Sequence, residues 1–172
     1  MNTLFLTGFM GAGKTTIGRA LAEELSLTLF DTDELIERAL KKTVNAIFED
    51  EGELAFREYE HKVLQNVSGQ SVIVTTGGGI VTREENRQCM KKNGIIIYLH
   101  SDPDTIMERL VQDTTRPLLK GNKKEKIDQL FEARLPYYLE ADYVVNTTGK
   151  SVDTVVTEIT GLLIRDTRFW AS

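Results

Sequence analysis

The most constraining feature of the sequence is a short apolar run that leads directly into a glycine-rich segment and then into a helical pattern. Thr3 to Thr7 are typical of a buried strand, and the nine residues Gly8 to Thr16 contain Gly8, Gly13, Lys14 and Thr15 at the spacing GxxxxGK[ST]. Glycines allow backbone N–H groups to converge on phosphate oxygens, and a helix N-terminus adds partial positive charge. The segment therefore predicts a phosphate-binding loop between a strand and a helix.

The side chains of this loop have separate expected tasks. Lys14 is expected to reach the β and γ phosphates of a nucleotide, while the Thr15 hydroxyl is expected to ligate Mg²⁺. Thr16 is expected to add a contact to the α phosphate. The alternative is a glycine-rich turn with an exposed lysine, but that alternative leaves the Gly-Lys-Thr triplet unexplained.

Short apolar runs alternate with longer helical patterns along most of the chain, which is typical of a parallel sheet covered by helices. With no repeat or Pro-rich linker, the sequence predicts one α/β domain over residues 1–172. The predicted strands are Thr3–Thr7, Thr28–Phe30, Ser71–Thr75, Gly94–Leu99 and Tyr143–Asn146. The predicted helices are Lys14–Leu25, Glu34–Leu40, Glu53–Gln65, Thr82–Lys92, Asp104–Leu110, Lys126–Leu139 and Val152–Ile164.

Charge and cysteine content exclude several classes of protein. The 21 Lys and Arg against 26 Asp and Glu give a net charge of −5, which argues against a surface that binds duplex nucleic acid but is compatible with a local basic site. One cysteine, Cys89, excludes an internal disulfide framework and suits a reducing compartment. The longest apolar run, at 95–99, is far too short to span a membrane. We therefore expect a cytoplasmic protein without nucleic-acid or membrane partners.

Two acidic residues, Asp31 and Asp33, lie at the carboxyl end of the second predicted strand, where open α/β sheets bind ligands. Residues two apart in an extended chain point the same way, so both carboxylates can face the phosphate-binding loop. The commoner role of such residues is to cap the following helix. The two interpretations are compatible.

Arg57 has two interpretations that the local sequence leaves equal. It can form an ion pair with Glu60, three residues later on the same predicted helix. It can also bind a ligand carboxylate through two parallel hydrogen bonds, because the guanidinium is planar.

Two further segments favour a ligand. Three consecutive glycines, Gly77 to Gly79, follow the third strand, and their ordering is costly unless the backbone closely approaches a ligand hydroxyl. Residues Gln112 to Lys126 form a polar, basic insertion that includes Arg116. Because arginine suits a transferring phosphoryl group, this insertion is a candidate lid, with a solvated loop as the alternative.

Together these motifs make the whole chain resemble the shikimate kinases. The resemblance is carried by the phosphate-binding loop, Asp31-Thr32-Asp33, Phe56-Arg57, the triple glycine, Arg116-Pro117-Leu118-Leu119 and Arg134. It implies a P-loop kinase fold similar to that of nucleoside monophosphate kinases, with a five-stranded parallel sheet of order 2-3-1-4-5. It also implies a lid at about 112–124 and substrate-binding helices at about 32–62. The implied reaction is ATP-dependent phosphorylation of the shikimate 3-hydroxyl, a step toward chorismate and the aromatic amino acids.

The resemblance also implies residue roles. On the nucleotide side it assigns ATP binding to Gly11, Ala12, Gly13, Lys14, Thr15, Thr16, Arg109 and Arg116, with Mg²⁺ at Thr15 and, through water, at Asp31. On the substrate side it assigns shikimate binding to Asp33, Arg57, Gly78, Gly79 and Arg134. The implied catalytic residues are Lys14, Asp33, which is a candidate base, and Arg116. Tyr137 stands where the family usually has Leu, and Lys150 stands where some members place an arginine near adenine.

Two other functions fit part of the pattern. A gluconate kinase of the same fold would also bind a carboxylate and hydroxyls, but the motifs after the phosphate-binding loop favour shikimate. A nucleotide-binding switch without catalysis would be expected to lack the acid or the lid arginine, and this sequence has both Asp33 and Arg116. We expect a monomer that acts on shikimate and ATP with Mg²⁺.

Overall fold

A computed structural model describes residues 2–111 and 123–170, and five parallel strands form its central sheet. The strands are β1 (Thr3–Thr7), β2 (Thr28–Asp31), β3 (Val72–Thr75), β4 (Gly94–His100) and β5 (Tyr143–Asn146). Their order is β2-β3-β1-β4-β5, which confirms the predicted 2-3-1-4-5 arrangement. Since all pairs are parallel, the carboxyl ends of the strands meet at one edge of the sheet.

Strand β1 lies at the centre, where Leu4 is in register with Ile73 of β3 and with Ile95 of β4. All five residues of β1 are buried, as expected for a strand covered on both faces. Leu4 and Leu6 point to one face of the sheet and Phe5 to the other, because side chains alternate along a strand.

Helices cover both faces. They are α1 (Lys14–Leu25), α2 (Thr32–Leu40), α3 (Val44–Val67), α4 (Glu84–Asn93), α5 (Pro103–Val111), α6 (Lys123–Tyr138), α7 (Val152–Arg165) and α8 (Thr167–Trp170), with a short 3-10 helix at Ile80–Thr82. Apolar side chains of α1, α7 and α8 pack on the Leu4 face, and those of α3, α4 and α6 pack on the Phe5 face. A third, smaller cluster of Ile36, Ile47 and Phe56 joins α2 to α3.

The main difference from the predicted elements concerns α3, which begins at Val44 rather than at Glu53. Gly52 interrupts the helix with φ 83° and ψ 173°, a backbone conformation that glycine adopts without steric cost. Two helical segments therefore meet at a kink at Gly52. The sequence pattern of one continuous helix is visible only after Gly52, so the predicted helix begins at Glu53. The turn of α8 is also absent from the predicted elements.

In residues 2–111 and 123–170, no helix combines the length and the apolar character needed to cross a membrane.

Candidate active site

Two adjoining cavities open at the carboxyl edge of the sheet, and they share Asp33, Gly77 and Gly78 in their walls. The first, of about 400 Å³, is built on the phosphate-binding loop and the start of α1. The second, of about 520 Å³, lies between α2, α3 and α6. A molecule in one cavity can therefore meet a molecule in the other beside Asp33.

The phosphate-binding loop forms the floor of the first cavity. Gly13 precedes α1 with φ 91°, and Gly11 has φ 78°; both values belong to the left-handed region that side chains disfavour. The ammonium group of Lys14 donates hydrogen bonds to the carbonyl oxygens of Gly8 (2.8 Å) and Phe9 (2.9 Å). Lys14 thus folds back over its own loop with its charge at the cavity wall. Gly11, Ala12, Thr15 and Thr16 line the same cavity.

Three oxygen-bearing side chains meet at the end of β2. Asp31 Oδ2 accepts a hydrogen bond of 2.8 Å from the Thr75 hydroxyl and lies 3.5 Å from Thr15 Oγ1. Hydroxyl and carboxylate oxygens are the donors that Mg²⁺ prefers, and Mg²⁺ in kinases usually takes its other ligands from phosphate and water. The described residues contain no group of three or more His, Cys, Asp or Glu that could hold a metal by themselves. This donor set fits an ion brought in with a nucleotide.

The helix-cap interpretation of Asp31 is confirmed. Its Oδ1 accepts hydrogen bonds from the backbone N–H groups of Asp33 (3.0 Å) and Glu34 (3.3 Å), at the N-terminus of α2. The same carboxylate faces Thr15 through its other oxygen. Asp33 follows in the first turn of α2, at the junction of the two cavities.

Arg57 lies in the wall of the second cavity and forms the ion pair that its sequence spacing allows. Its guanidinium donates to Glu60 Oε2 at 2.5 Å and to Glu53 Oε1 at 2.8 Å. The same group packs so tightly on Gly79 that a Cβ there would stand 2.3 Å from its nitrogens. Arg57 is thus held in place from two sides while it lines the cavity, and the local ion pair and a ligand-binding role are compatible.

The second guanidinium of this cavity belongs to Arg134 on α6, which is only 5% exposed. Its Nε has no hydrogen-bond partner in the described part of the chain, and its guanidinium carbon lies 5.9 Å from the centre of the Phe9 ring. Burial lowers the pKa of Arg134, but arginine remains charged in proteins. A buried cation with an unused donor is suited to an anionic ligand.

Glu60 and Tyr138 also belong to the site, although the sequence predicts no role in ligand binding for either of them. Glu60 is fully buried, and burial, together with the nearby Asp33 carboxylate, raises its pKa to about 7 against the opposing effect of Arg57. Tyr138 is also buried and donates a hydrogen bond of 2.5 Å to the Gly78 carbonyl oxygen. The available signals were spacings: Glu60 follows Arg57 by three residues, and Tyr138 follows Arg134 by four.

The remaining predicted residues divide into two groups. Arg109 donates a hydrogen bond of 2.8 Å to the Gly11 carbonyl oxygen, and it lines the first cavity together with Lys150. Lys150 is ion-paired with Glu158 at 2.6 Å. Arg116 lies outside the described residues, as does nearly all of the predicted lid at about 112–124. Tyr137 packs its ring under the Arg87 guanidinium at 4.5 Å, away from both cavities.

Comparisons with known proteins agree with this geometry. The family model described as "Shikimate kinase" matches residues 10–163. A shikimate kinase of Bacillus cereus (strain AH187) is 49% identical over 159 residues, which cover 92% of this chain and 96% of that protein. A shikimate kinase of Bacillus anthracis (strain A0248) is 50% identical over the same coverage.

Solved structures give the same result. Shikimate kinase from Acinetobacter baumannii in complex with shikimate superimposes with a TM-score of 0.91, at 37% identity, and covers 95% of this chain and 93% of that one. Shikimate kinase from Aquifex aeolicus gives a TM-score of 0.81 at 33% identity, with 94% and 96% of the two chains covered. The five-stranded sheet, its phosphate-binding loop and these matches lead to one conclusion: the chain is a kinase with the P-loop fold and belongs to the shikimate kinase family.

Proposed function

We propose that this protein transfers the γ-phosphoryl group of ATP to the 3-hydroxyl of shikimate, which yields shikimate 3-phosphate and ADP for chorismate and aromatic amino-acid biosynthesis. The observation that carries the proposal is the position of Asp33 between two cavities. One cavity holds the phosphate-binding loop, and the other holds two guanidinium groups. A phosphate donor and an anionic acceptor are the pair of ligands that this division favours.

The first cavity is the proposed ATP site. Backbone N–H groups from Gly11 to Thr16 would hold the phosphates, helped by the N-terminus of α1. Lys14 would exchange its contacts with two backbone carbonyls for the β and γ phosphates. Arg109, which donates a hydrogen bond to the Gly11 carbonyl oxygen and lines this cavity, would contact the nucleotide. Arg116 is proposed as a further phosphate ligand, on the strength of the family resemblance.

Mg²⁺ is the proposed cofactor, and the oxygen atoms of Thr15 and Asp31 are the residues that would hold it. Thr15 would bind the ion directly and Asp31 through water, which the 3.5 Å separation of their side-chain oxygens allows. When bound, the ion would neutralise phosphate charge. Thr75 keeps the Asp31 carboxylate oriented through its 2.8 Å hydrogen bond.

The second cavity is the proposed shikimate site. Arg57 and Arg134 would bind the substrate carboxylate, since the fork of a guanidinium matches its two oxygens. Gly78, in the wall that the two cavities share, and Gly79, in the wall of the second cavity, would contact ring hydroxyls through their backbone. A carboxylate fixed at one end of a rigid ring limits which ring hydroxyl can reach the first cavity, and the 3-hydroxyl is the proposed acceptor.

Asp33 is the proposed acid–base group. At the junction of the cavities its carboxylate would accept a hydrogen bond from the 3-hydroxyl, hold that oxygen in line with the γ-phosphate and receive its proton as the phosphoryl group transfers. Phosphoryl transfer needs alignment and charge neutralisation more than a strong base. Lys14 would supply part of that neutralisation.

Some assignments rest on the sequence alone, either on its composition and patterning or on the family resemblance. They are a single domain over residues 1–172 with substrate-binding helices at about 32–62, a lid at about 112–124, a monomeric state and a cytoplasmic location. If the lid closes over bound ligands, amide exchange across 112–124 slows when an ATP analogue and shikimate are both present. Unchanged exchange there would favour a solvated loop.

A coupled assay of ADP release tests the proposed function. The purified protein is given ATP, Mg²⁺ and, in parallel reactions, shikimate, gluconate or a nucleoside monophosphate. We expect release of ADP above the ATP-only rate with shikimate and none with the other two. Stimulation by gluconate instead would make gluconate the acceptor that the second cavity binds. Stimulation by none of the acceptors would contradict the proposal that the second cavity binds a phosphoryl acceptor.

A further inference from the structure

A cluster of four charged side chains forms the inner wall of the second cavity. Asp33 and Glu60 bring two carboxyl groups, and Arg57 and Arg134 bring two guanidinium groups. With all four ionised, their charges cancel. Within residues 2–111 and 123–170, the other ionisable groups that face the cluster from the surrounding helices are Glu34 and Glu37 on α2, Glu53 on α3 and Tyr138 on α6.

Glu60 is the most enclosed acidic member of this cluster. Its side chain has no solvent exposure, and its two oxygens have different surroundings. Oε2 accepts the 2.5 Å hydrogen bond from Arg57, whereas Oε1 has no hydrogen-bond partner in the described part of the chain. A Cβ on Gly77 would stand 2.7 Å from Glu60 Oε1 and 2.7 Å from Asp33 Oδ1, so the two carboxyl groups converge on the same glycine.

These surroundings make the charge on Glu60 sensitive to a further anion. Burial and the Asp33 carboxylate already raise the pKa of Glu60 to about 7, with Arg57 opposing them. A substrate carboxylate beside Arg57 would add a third negative charge to a buried cluster that holds two positive ones. The arginines cannot lose protons, so they cannot correct the balance. A proton on Glu60 Oε1 would restore it without displacing an existing hydrogen bond.

We propose that Glu60 takes up one proton from solvent when the carboxylate of shikimate binds beside Arg57 and Arg134, so that substrate binding and protonation of Glu60 are coupled. The inference rests on the proposed function, since it names the same ligand for the same cavity. A buffer acid gives up the proton, which forms a new O–H bond on the Glu60 carboxylate. The conjugate base of that acid remains in solution, and nothing is oxidised or reduced. Glu60 is therefore a positioning residue, which sets the negative charge beside Arg57 without touching the transferred phosphoryl group.

Titration calorimetry of shikimate binding in two buffers measures this proton directly. At pH 7.5 the binding heat is compared in Hepes and in Tris, whose ionisation enthalpies differ. A proton taken up from the buffer makes the two heats differ in proportion. We expect uptake of roughly half a proton or more per enzyme molecule. Equal binding heats in the two buffers would overturn the proposal, and this measurement needs only the unmodified protein.

Two variants assign the proton to its residue. Glu60→Gln keeps the size of the side chain but cannot titrate, and we expect it to abolish the buffer dependence. Glu58→Gln is the matched control, because Glu58 lies on the same helix but is exposed and pairs with Arg83. This control retains the full buffer dependence. If Glu60→Gln retains it as well, the proton binds elsewhere and the assignment is wrong.

The shikimate KM gives a second, independent readout. Below pH 7 Glu60 is largely protonated before shikimate binds, so the shikimate KM does not change with pH. Above pH 7 shikimate binding requires the uptake of a proton by Glu60, so KM rises by up to tenfold per pH unit. In Glu60→Gln the rise above pH 7 disappears. ADP release with shikimate is measured on the same samples. Turnover with no proton uptake contradicts only this proposal, whereas no turnover and no binding heat contradict the proposed function.

Discussion

The hydroxyl of Tyr138 donates a hydrogen bond of 2.5 Å to the carbonyl oxygen of Gly78, and this contact joins α6 to the triple glycine. The Tyr138 ring stacks on Tyr98 of β4 with centroids 4.9 Å apart. Tyr138 lies one helical turn after Arg134, so the same contact fixes the distance between the buried guanidinium and the glycine wall. Two segments 60 residues apart in sequence are thereby held as one side of the proposed shikimate site.

Replacing Tyr138 with Phe tests this connection. The change removes the hydroxyl and leaves the Gly78 carbonyl without that donor, so we expect a loss of about 1–3 kcal/mol in the free energy of unfolding. The shikimate KM should also rise, because Arg134 loses part of its support. Tyr143→Phe is the control, since it removes a hydroxyl that donates to Asp166, far from both cavities. Urea unfolding and steady-state kinetics of the two variants separate a local effect on the site from a general loss of stability.

Lys14→Met is expected to abolish measurable turnover while the protein stays folded. Methionine preserves much of the side-chain length but removes the charge proposed to meet the γ phosphate, which should cost at least about a hundredfold in kcat. The melting curve should stay close to that of the unmodified protein, because the hydrogen bonds of Lys14 to the Gly8 and Phe9 carbonyls lie within its own loop. Full activity with a normal melting curve would contradict the role given to the phosphate-binding loop.

Arg134→Ala separates substrate recognition from nucleotide binding. Loss of a charge-assisted contact of about 1.5–3 kcal/mol predicts a rise of at least about tenfold in the shikimate KM, while the ATP KM changes little. Arg83→Ala is the matched control, because Arg83 forms exposed ion pairs with Glu58 and Glu85 and lines neither ligand cavity. The opposite pattern, a rise in the ATP KM alone, would place Arg134 in the nucleotide site.

Gly79→Ala tests the close packing of Arg57. A methyl group 2.3 Å from the guanidinium must displace it, so we expect a higher shikimate KM and a lower stability. Gly161→Ala provides the contrast, because in the described part of the chain no atom other than the adjacent backbone of α7 lies within 4 Å of the new Cβ. That substitution should stabilise the protein by about 1 kcal/mol and leave the kinetics unchanged. Unchanged kinetics in Gly79→Ala would contradict the close packing of the Arg57 guanidinium on Gly79.

The raised pKa of Glu60 predicts a specific pH dependence of stability. The folded state binds this proton up to about pH 7, whereas an unfolded glutamate releases it near 4.5. Stability from this group is therefore complete below pH 4.5 and is lost as pH rises to about 7, by on the order of 3 kcal/mol. Urea unfolding at several pH values should show this fall in the unmodified protein relative to Glu60→Gln. Parallel pH curves for the two proteins would contradict the buried, titrating state of Glu60.

The parts of the fold that the sequence predicts are those coded by neighbouring residues. The phosphate-binding loop, the alternation of strand and helix and the acids after β2 all depend on short spacings, and the structure places them as expected. The first half of α3 escapes prediction because Gly52 breaks the helical period, so the segments on either side appear unrelated.

Contacts between distant segments could not be predicted in the same way. The pairing of Arg57 with Glu60 follows from their spacing, but the closeness of Glu60 to Asp33 and Gly77, which lie on other elements, does not. The hydrogen bond from Tyr138 to Gly78 likewise forms only after the chain folds. Physical reasoning from one sequence supplies the chemistry of such residues, whereas their neighbours come from the packing of the sheet and helices.

The position of the transferred phosphate tests the central proposal most directly. The product formed from ATP and shikimate is isolated and examined by phosphorus and proton magnetic resonance. We predict a single phosphate monoester whose phosphorus couples to the proton on carbon 3, because the arginines anchor the carboxylate and Asp33 selects the hydroxyl beside the first cavity. A phosphate on another hydroxyl, or release of inorganic phosphate without an ester, would contradict the arrangement of the two sites.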